Sequence, residues 1–139
     1  MIAVDTSVLV DFIGEGPAAE AAEDALRMAL SAGPVVACAV VLSEVVAGLG
    51  HSEIVVETLD AIGIGFSPLE QRAAVRAGEM QRRYKERLQR SAPPGTAKRT
   101  VPDFLIGAHA LLQCGGLITR DAGFFRDYFK GLKVIVPQA

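Results

Sequence analysis

Ile2-Ala3-Val4-Asp5-Thr6-Ser7-Val8-Leu9-Val10-Asp11-Phe12-Ile13 is the stretch whose reading decides the fold. Three apolar residues run into a carboxylate, which reads as a short buried-type strand over residues 2–5. After it Val8, Leu9, Phe12 and Ile13 recur at helical spacing until Gly14 and Gly16 break the pattern. Strand passes to helix at Asp5, and the same alternation repeats along the chain. Pro17 stands where a helix tolerates its first-turn proline, and good helix formers over residues 18–31 end at Gly33-Pro34. Residues 34–37 read as a second strand and 39–49 as a helix. Another helix follows over 51–62, with Ile54, Val55, Thr58, Leu59 and Ile62 as its inner stripe. A third strand is expected over 64–66 and the longest helix over 68–90, closed by the linker-like Pro93-Pro94-Gly95. Helix 102–113, strand 117–119, helix 122–129 and strand 133–136 complete the chain. Short apolar strands alternating with helices predict an α/β fold: a central, mostly parallel sheet of about five short strands flanked by helices. In such sheets ligands sit beyond the carboxyl ends of the strands.

The 139 residues suit one domain spanning 1–139, and with half of them hydrophobic and 22% charged the chain has the material for a packed core. Its longest apolar run, residues 34–42, is nine long, against about 20 for a membrane-spanning helix. No segment is expected to cross a membrane. The first residues lack a basic region and reach a carboxylate by position 5, so the expected location is the cytoplasm. Cys38, Cys114, His51 and His109 show none of the spacings that build zinc sites or disulfide frameworks.

Net charge is −2, but it is unevenly spread. Residues 72–99 hold nine of the fourteen Lys and Arg against two Glu, so that stretch carries +7 and the remainder −9. On the long helix Arg72, Arg76, Arg83, Arg87 and Arg90 fall within about 60° of arc at ~100° per residue, beside an apolar stripe of Leu69, Ala73, Ala77, Met80, Tyr84 and Leu88. Such arginines either meet a polyanion or cover core with their stems. Lys98 and Arg99, just before Asp103, are the stronger candidates for phosphate contact.

Three acidic residues stand where function is expected. Asp5 and Asp121 directly follow strands, and Asp103 lies in the first turn of a helix behind Pro102. Taken singly, each is explained as a helix cap or a dipole partner. Glu44 is harder to explain this way, because its helical neighbours Val40, Val41, Ala47 and Gly48 are apolar or lack a side chain. Asp103 likewise shares its face with Ile106 and Gly107. Carboxylates on apolar faces must be paired, protonated or metal-bound, and a cluster of them becomes tolerable around a hard divalent ion, Mg²⁺ or Mn²⁺.

Asp5-Thr6-Ser7-Val8-Leu9, Ser43-Glu44-Val45, the run Pro102-Asp103-Phe104-Leu105-Ile106-Gly107-Ala108, and Thr119-Arg120-Asp121, in that order, closely resemble the PIN-domain ribonucleases. Within them the chain is most similar to the VapC-type toxins of prokaryotic toxin–antitoxin pairs. The resemblance runs from the first strand to the last. It implies a single PIN-like domain and assigns Asp5, Glu44, Asp103 and Asp121 to an acidic pocket for Mg²⁺ or Mn²⁺. Asp5 and Asp103 would bind the ion directly, Glu44 and Asp121 directly or through water. Thr6 and Thr119 match hydroxyl positions that orient carboxylates in the family. The implied activity is endoribonucleolytic, with Lys98, Arg99, Arg83 and Arg87 on the substrate side. The implied partners are RNA, a cognate antitoxin that reaches towards the pocket, and a second copy of the chain. Gly123 and Phe124 stand where the family often adds a further acid, so whether one or two ions bind is open. Asp127, about 240° round a helix from Asp121, is read as a solvated acid, and His109, about 120° from Asp103, as packing or surface.

Two other enzyme or switch classes fit Asp5 less well. A haloacid-dehalogenase-type phosphotransferase expects a second acid where Ser7 stands. A receiver-like switch expects a phosphoacceptor after the third strand, where Phe66 and Ser67 stand. A dinucleotide-binding module lacks its glycine motif. A PIN-like module that binds RNA without cutting it is the remaining alternative.

Overall fold

The first strand of the sequence is the middle strand of the sheet. The computed structural model describes residues 1–91, 93 and 98–138. In chain order its elements are β1 (Ile2–Val4), α1 (Thr6–Ile13), α2 (Ala19–Ala32), β2 (Val35–Cys38), α3 (Ala39–Leu49), α4 (Ser52–Ile62), β3 (Ile64–Ser67), α5 (Gln71–Ser91), α6 (Val101–Gln113), β4 (Gly116–Ile118), α7 (Ala122–Tyr128) and β5 (Lys133–Ile135). The five strands lie in the order β3-β2-β1-β4-β5, and every pairing is parallel, so the sheet is wholly rather than mostly parallel. Ala3 is the shared register point, opposite Val36 on one side and Leu117 on the other.

All four residues of β2 are buried, as expected of a strand covered by helices on both faces. The chain builds outward from β1 through β2 to β3, then returns by α5 and α6 to lay down β4 and β5 on the far side. Strand order therefore reverses between β1 and β4, and the crevice at their carboxyl ends is where open α/β sheets receive ligands.

The core supports that crevice from below. Val8 and Leu9 of α1, Val41 and Val45 of α3, and Phe104, Ile106, Ala108 and Ala110 of α6 are all buried. Phe104 meets Tyr84 at 5.5 Å and Phe124 at 5.2 Å between ring centroids, which ties α5, α6 and α7 into one aromatic cluster. Each fully buried aromatic ring of this kind contributes on the order of 1.5–3 kcal/mol. Phe129 lies directly on the backbone of α6, so a Cβ at Gly107 would come within 2.3 Å of its ring.

Most element ends differ from expectation by a residue or two, and two differences have physical causes. The long helix starts at Gln71 rather than Pro68 because the Gln113 side chain holds the preceding turn open. Gln113 Oε1 accepts from the Glu70 N–H at 2.9 Å, and its Nε2 donates to the Pro68 carbonyl at 2.9 Å. On α4 only Val55 and Leu59 of the expected stripe are buried, whereas Ile54 is 57% exposed. This helix contacts the rest of the protein along a narrower arc, and the Thr58 hydroxyl folds back onto the Ile54 carbonyl at 2.7 Å. The expected loop at Pro93-Pro94-Gly95 lies, for Pro94 and Gly95, outside the described residues. Among the described residues no helix is long and apolar enough to cross a membrane.

His109 is packed inside, on the α6 face that meets the end of β3. Its Nε2 lies 2.9 Å from Ser67 Oγ, and its Nδ1 is buried with no hydrogen-bond partner. Burial pushes its pKa down, so the ring is neutral in the fold and gains a proton more readily once unfolded. Stability is then complete above the unfolded value of about 6.5 and falls as pH drops below it. Urea unfolding at a series of pH values checks this. The wild-type chain loses stability on acidification through that window, and the His109→Gln chain shows a shallower loss.

Replacing Gly107 by Ala should destabilise the protein by about 1–3 kcal/mol, since the Phe129 ring must leave its seat. The chemical-denaturation midpoint reads this directly.

Candidate active site

Asp5 sits at the carboxyl end of β1, inside the crevice, and is only 9% exposed. The strand-to-helix junction fixes it: as N-cap of α1, its Oδ1 accepts from the Thr6 N–H at 2.8 Å. Its Oδ2 accepts from the hydroxyl of Thr119, at the end of neighbouring β4, at 2.6 Å. Thr119 Oγ1 in turn accepts from the Asp121 N–H at 3.0 Å. The Thr6 hydroxyl donates to Glu44 Oε1 at 2.6 Å, bringing α3 to the same centre. Thr6 and Thr119 are thus the struts that space the carboxylates, and one unbroken chain of hydrogen bonds runs from Glu44 through Thr6, Asp5 and Thr119 to Asp121.

Asp103 occupies the first turn of α6 beside that group. The Thr100 N–H donates to its Oδ2 at 3.3 Å, a long contact that holds the carboxylate loosely. Burial raises the pKa of Asp5. The bonds from Thr119 and Thr6 oppose the shift, and the negative charges of Asp103 and Glu44 add to it. Two of the other expected acids, Asp103 and Glu44, therefore act on Asp5 at the crevice.

The fourth acid is placed differently. Asp121 follows β4 as expected, but its carboxylate is ion-paired with Arg99, an interaction whose hydrogen bond also raises the Arg99 pKa. The Arg99 guanidinium lies over the Phe124 ring at 4.5 Å, and its backbone N–H donates to the Tyr84 hydroxyl at 2.7 Å. Nothing in the sequence pairs Arg99 with a residue 22 positions on, and the aromatic character of Phe124 and Tyr84 reads as core. Two further features escaped sequence reasoning. Arg120, beside Asp121, pairs with Asp11 of α1 at 2.9 Å. Glu44 is half-buried rather than inward: Ala47 and Gly48 on its face are exposed, so it stands at the rim of the core.

The arginines of α5 are spread over separate roles. Arg72 pairs with Glu70 at 2.6 Å and Arg76 with Glu79 at 3.6 Å, which makes them ordinary solvated ion pairs worth little individually. Arg87 lies over Tyr128, 5.9 Å from ring centre, with the Tyr128 hydroxyl at 3.5 Å. Arg83 and Lys98 are exposed.

Among the described residues no three His, Cys, Asp or Glu side chains stand close enough together to hold a metal ion as they are. The donor chemistry nevertheless fits a hard divalent ion: Asp5, Glu44 and Asp103 offer only oxygens, and the Arg99 guanidinium is ion-paired with Asp121. Asp5, held by Thr119 and Thr6, and Asp103, held by one long bond, would take the ion, with Glu44 beside them.

With this geometry in view, a family model for the PIN domain matches residues 2–130. The chain belongs to the PIN-domain family. Its fold is shared by a VapBC2 complex from Rickettsia felis bound to a promoter DNA fragment. That match has a TM-score of 0.73 and 19% identity, over 99% of this chain and all of that one. A toxin–antitoxin complex from Klebsiella pneumoniae matches with TM-score 0.63 and 24% identity, over 99% and 98% of the two chains. VapC20 of Mycobacterium tuberculosis, a toxin that cleaves the sarcin–ricin loop, matches with TM-score 0.61 and 17% identity, over 96% and 99%. No curated protein sequence matches this chain.

Replacing Asp5 by Asn removes the buried charge while an oxygen remains to cap α1. The ion-free Asp5→Asn protein should therefore melt at a higher temperature than wild type at neutral pH. Because the folded-state pKa of Asp5 lies above the unfolded one, the penalty is absent below about pH 4 and grows as pH rises through the raised value. Thermal melts in EDTA across pH check it: the two curves converge in acid and separate towards neutrality.

Proposed function

We propose that this PIN-domain protein is a divalent-metal-dependent endoribonuclease, the toxin of a toxin–antitoxin pair, and that it cuts RNA at Asp5, Glu44, Asp103 and Asp121. The observation that carries this reading is the sealed Asp5 carboxylate, clamped by Thr6 and Thr119 at the strand-order switch while Glu44 and Asp103 add their charge to it. Two carboxylates that add their charge to a third, buried one cost the fold stability unless a cation joins them. Mg²⁺ or Mn²⁺ is the cofactor that an all-oxygen set would hold, and when bound it supplies Lewis-acid activation of water and offsets the charge of the scissile phosphate.

The chain's own residues do the rest. Thr119 and Thr6 fix both oxygens of Asp5, so that the primary ligand does not have to reorganise. Glu44, steered by the Thr6 hydroxyl, is set to orient an attacking water or accept its proton. Asp121 shares the Thr119 hydroxyl with Asp5 and would act at the edge of the pocket. Lys98, Arg99, Arg83 and Arg87 are the groups proposed to meet the RNA backbone. Asp121 takes up part of the five-donor guanidinium of Arg99, leaving N–H groups for phosphate. The structures of matching fold include toxin–antitoxin complexes and a toxin that cleaves the sarcin–ricin loop, which supports a cognate antitoxin and an RNA substrate for this chain. A homodimer in the cytoplasm belongs to the same reading.

Purified protein incubated with RNA tests it. Cleavage should require Mg²⁺ or Mn²⁺, stop in EDTA, and fall by about a hundredfold or more in Asp5→Asn and in Asp103→Asn, as for loss of a group that stabilises charge in the transition state. Wild-type turnover in either variant, or in EDTA, would contradict the proposal. RNA binding with no cleavage under any metal condition would favour a non-catalytic RNA-binding module.

A further inference from the structure

Resting on the reading of this crevice as a divalent-metal pocket, we infer that Arg99 is a resident cation that holds Asp121 out of the ligand set. The pocket then takes one divalent ion, on Asp5, Glu44 and Asp103, rather than two.

Three restraints locate the guanidinium. Its main chain is anchored because the Arg99 N–H donates to the hydroxyl of Tyr84, whose buried ring packs against Phe104. Its flat face is seated on Phe124, itself buried against Phe104, at a separation in the range of a cation–π contact. Its edge donates to Asp121 Oδ2. A surface arginine held only by a carboxylate would exchange freely with solvent ions; one held by backbone, face and edge is part of the framework.

Asp121 is restrained from its own side as well. Its N–H is bonded to the Thr119 hydroxyl that also donates to Asp5, so the Asp121 main chain is fixed on the strut that positions the primary ligand. The carboxylate projects from that fixed point to Arg99. The Arg99 charge reaches Asp103 too, but among the described residues the two form no ion pair, and Asp103 Oδ2 accepts from a backbone N–H at 3.3 Å, a bond weak enough to be given up to an ion. The two acids flanking Asp5 are thus unequal, one available as a ligand and one already neutralised. Two-ion phosphoryl-transfer sites need carboxylates enough to ligate and neutralise both ions. With Asp121 committed to Arg99, the carboxylates left at this crevice are those for a single ion. Arg99 is accordingly a positioning residue: it sets the orientation of Asp121 and the ion count.

Manganese titration, followed through the electron paramagnetic resonance signal of free Mn²⁺, tests this on the full chain. Wild type should take up one ion. Asp121→Asn should take up one ion with unchanged affinity, whereas Asp103→Asn should lose about tenfold or more. Arg99→Gln, with its fold checked by circular dichroism, should gain a second ion as Asp121 is released. Two ions on wild type, an Asp121→Asn loss equal to that of Asp103→Asn, or an unchanged ion count in Arg99→Gln would each overturn the inference. Absence of Mn²⁺ uptake by every form would instead overturn the metal-pocket reading on which it rests.

Discussion

A carboxylate enclosed at the mouth of a parallel sheet has to be solvated by the protein, and this fold is organised around meeting that demand for Asp5. Both oxygens receive a short hydrogen bond, one from the first N–H of α1 and one from the Thr119 hydroxyl. The first is placed by the strand-to-helix junction itself, the second by the sheet order that sets β4 directly beside β1. The same two threonines then carry the constraint outward, Thr6 to Glu44 and Thr119 to Asp121. The cost of burying the charge is only partly met, since its pKa stays raised from the ordinary aspartate value. That residual strain is stored where a cation would release it.

Around this centre the structure divides its charges by role. Arg120 and Arg99 each pair with an acid, Asp11 and Asp121. The aromatic cluster of Tyr84, Phe104, Phe124 and Tyr128 lies under this rim and gives Arg99 and Arg87 flat surfaces to rest on. The basic excess of residues 72–99 is thus used in two ways. Part of it braces the pocket from within, and part, including exposed Arg83 and Lys98, remains available at the surface.

Local chemistry made much of this legible in the sequence. An apolar run ending in Asp5, followed at once by helical spacing, predicts both a strand-to-helix junction and a capping carboxylate, and both are present. Alternating elements predict a parallel sheet, but the order β3-β2-β1-β4-β5 depends on the crossover through α5 and α6, which no local pattern specifies. Glu44 was legible as anomalous but not as a rim residue. Helical phase says which residues share a face, not how wide an arc the neighbours cover, and Ile54 of α4 is misread for the same reason. The union of Arg99 with Asp121 was invisible because it joins a loop before α6 to the end of β4 through tertiary packing. Gln113, which delays the start of α5, acts from 42 residues away.

The most direct test of the account is a crystal of the wild-type chain grown in MnCl₂ and measured for anomalous scattering at the manganese edge. The account predicts a peak in the crevice at bonding distance from carboxylate oxygens of Asp5 and Asp103. A saturating Mn²⁺ concentration that leaves this crevice without a peak, or places the ion on other side chains, would contradict it.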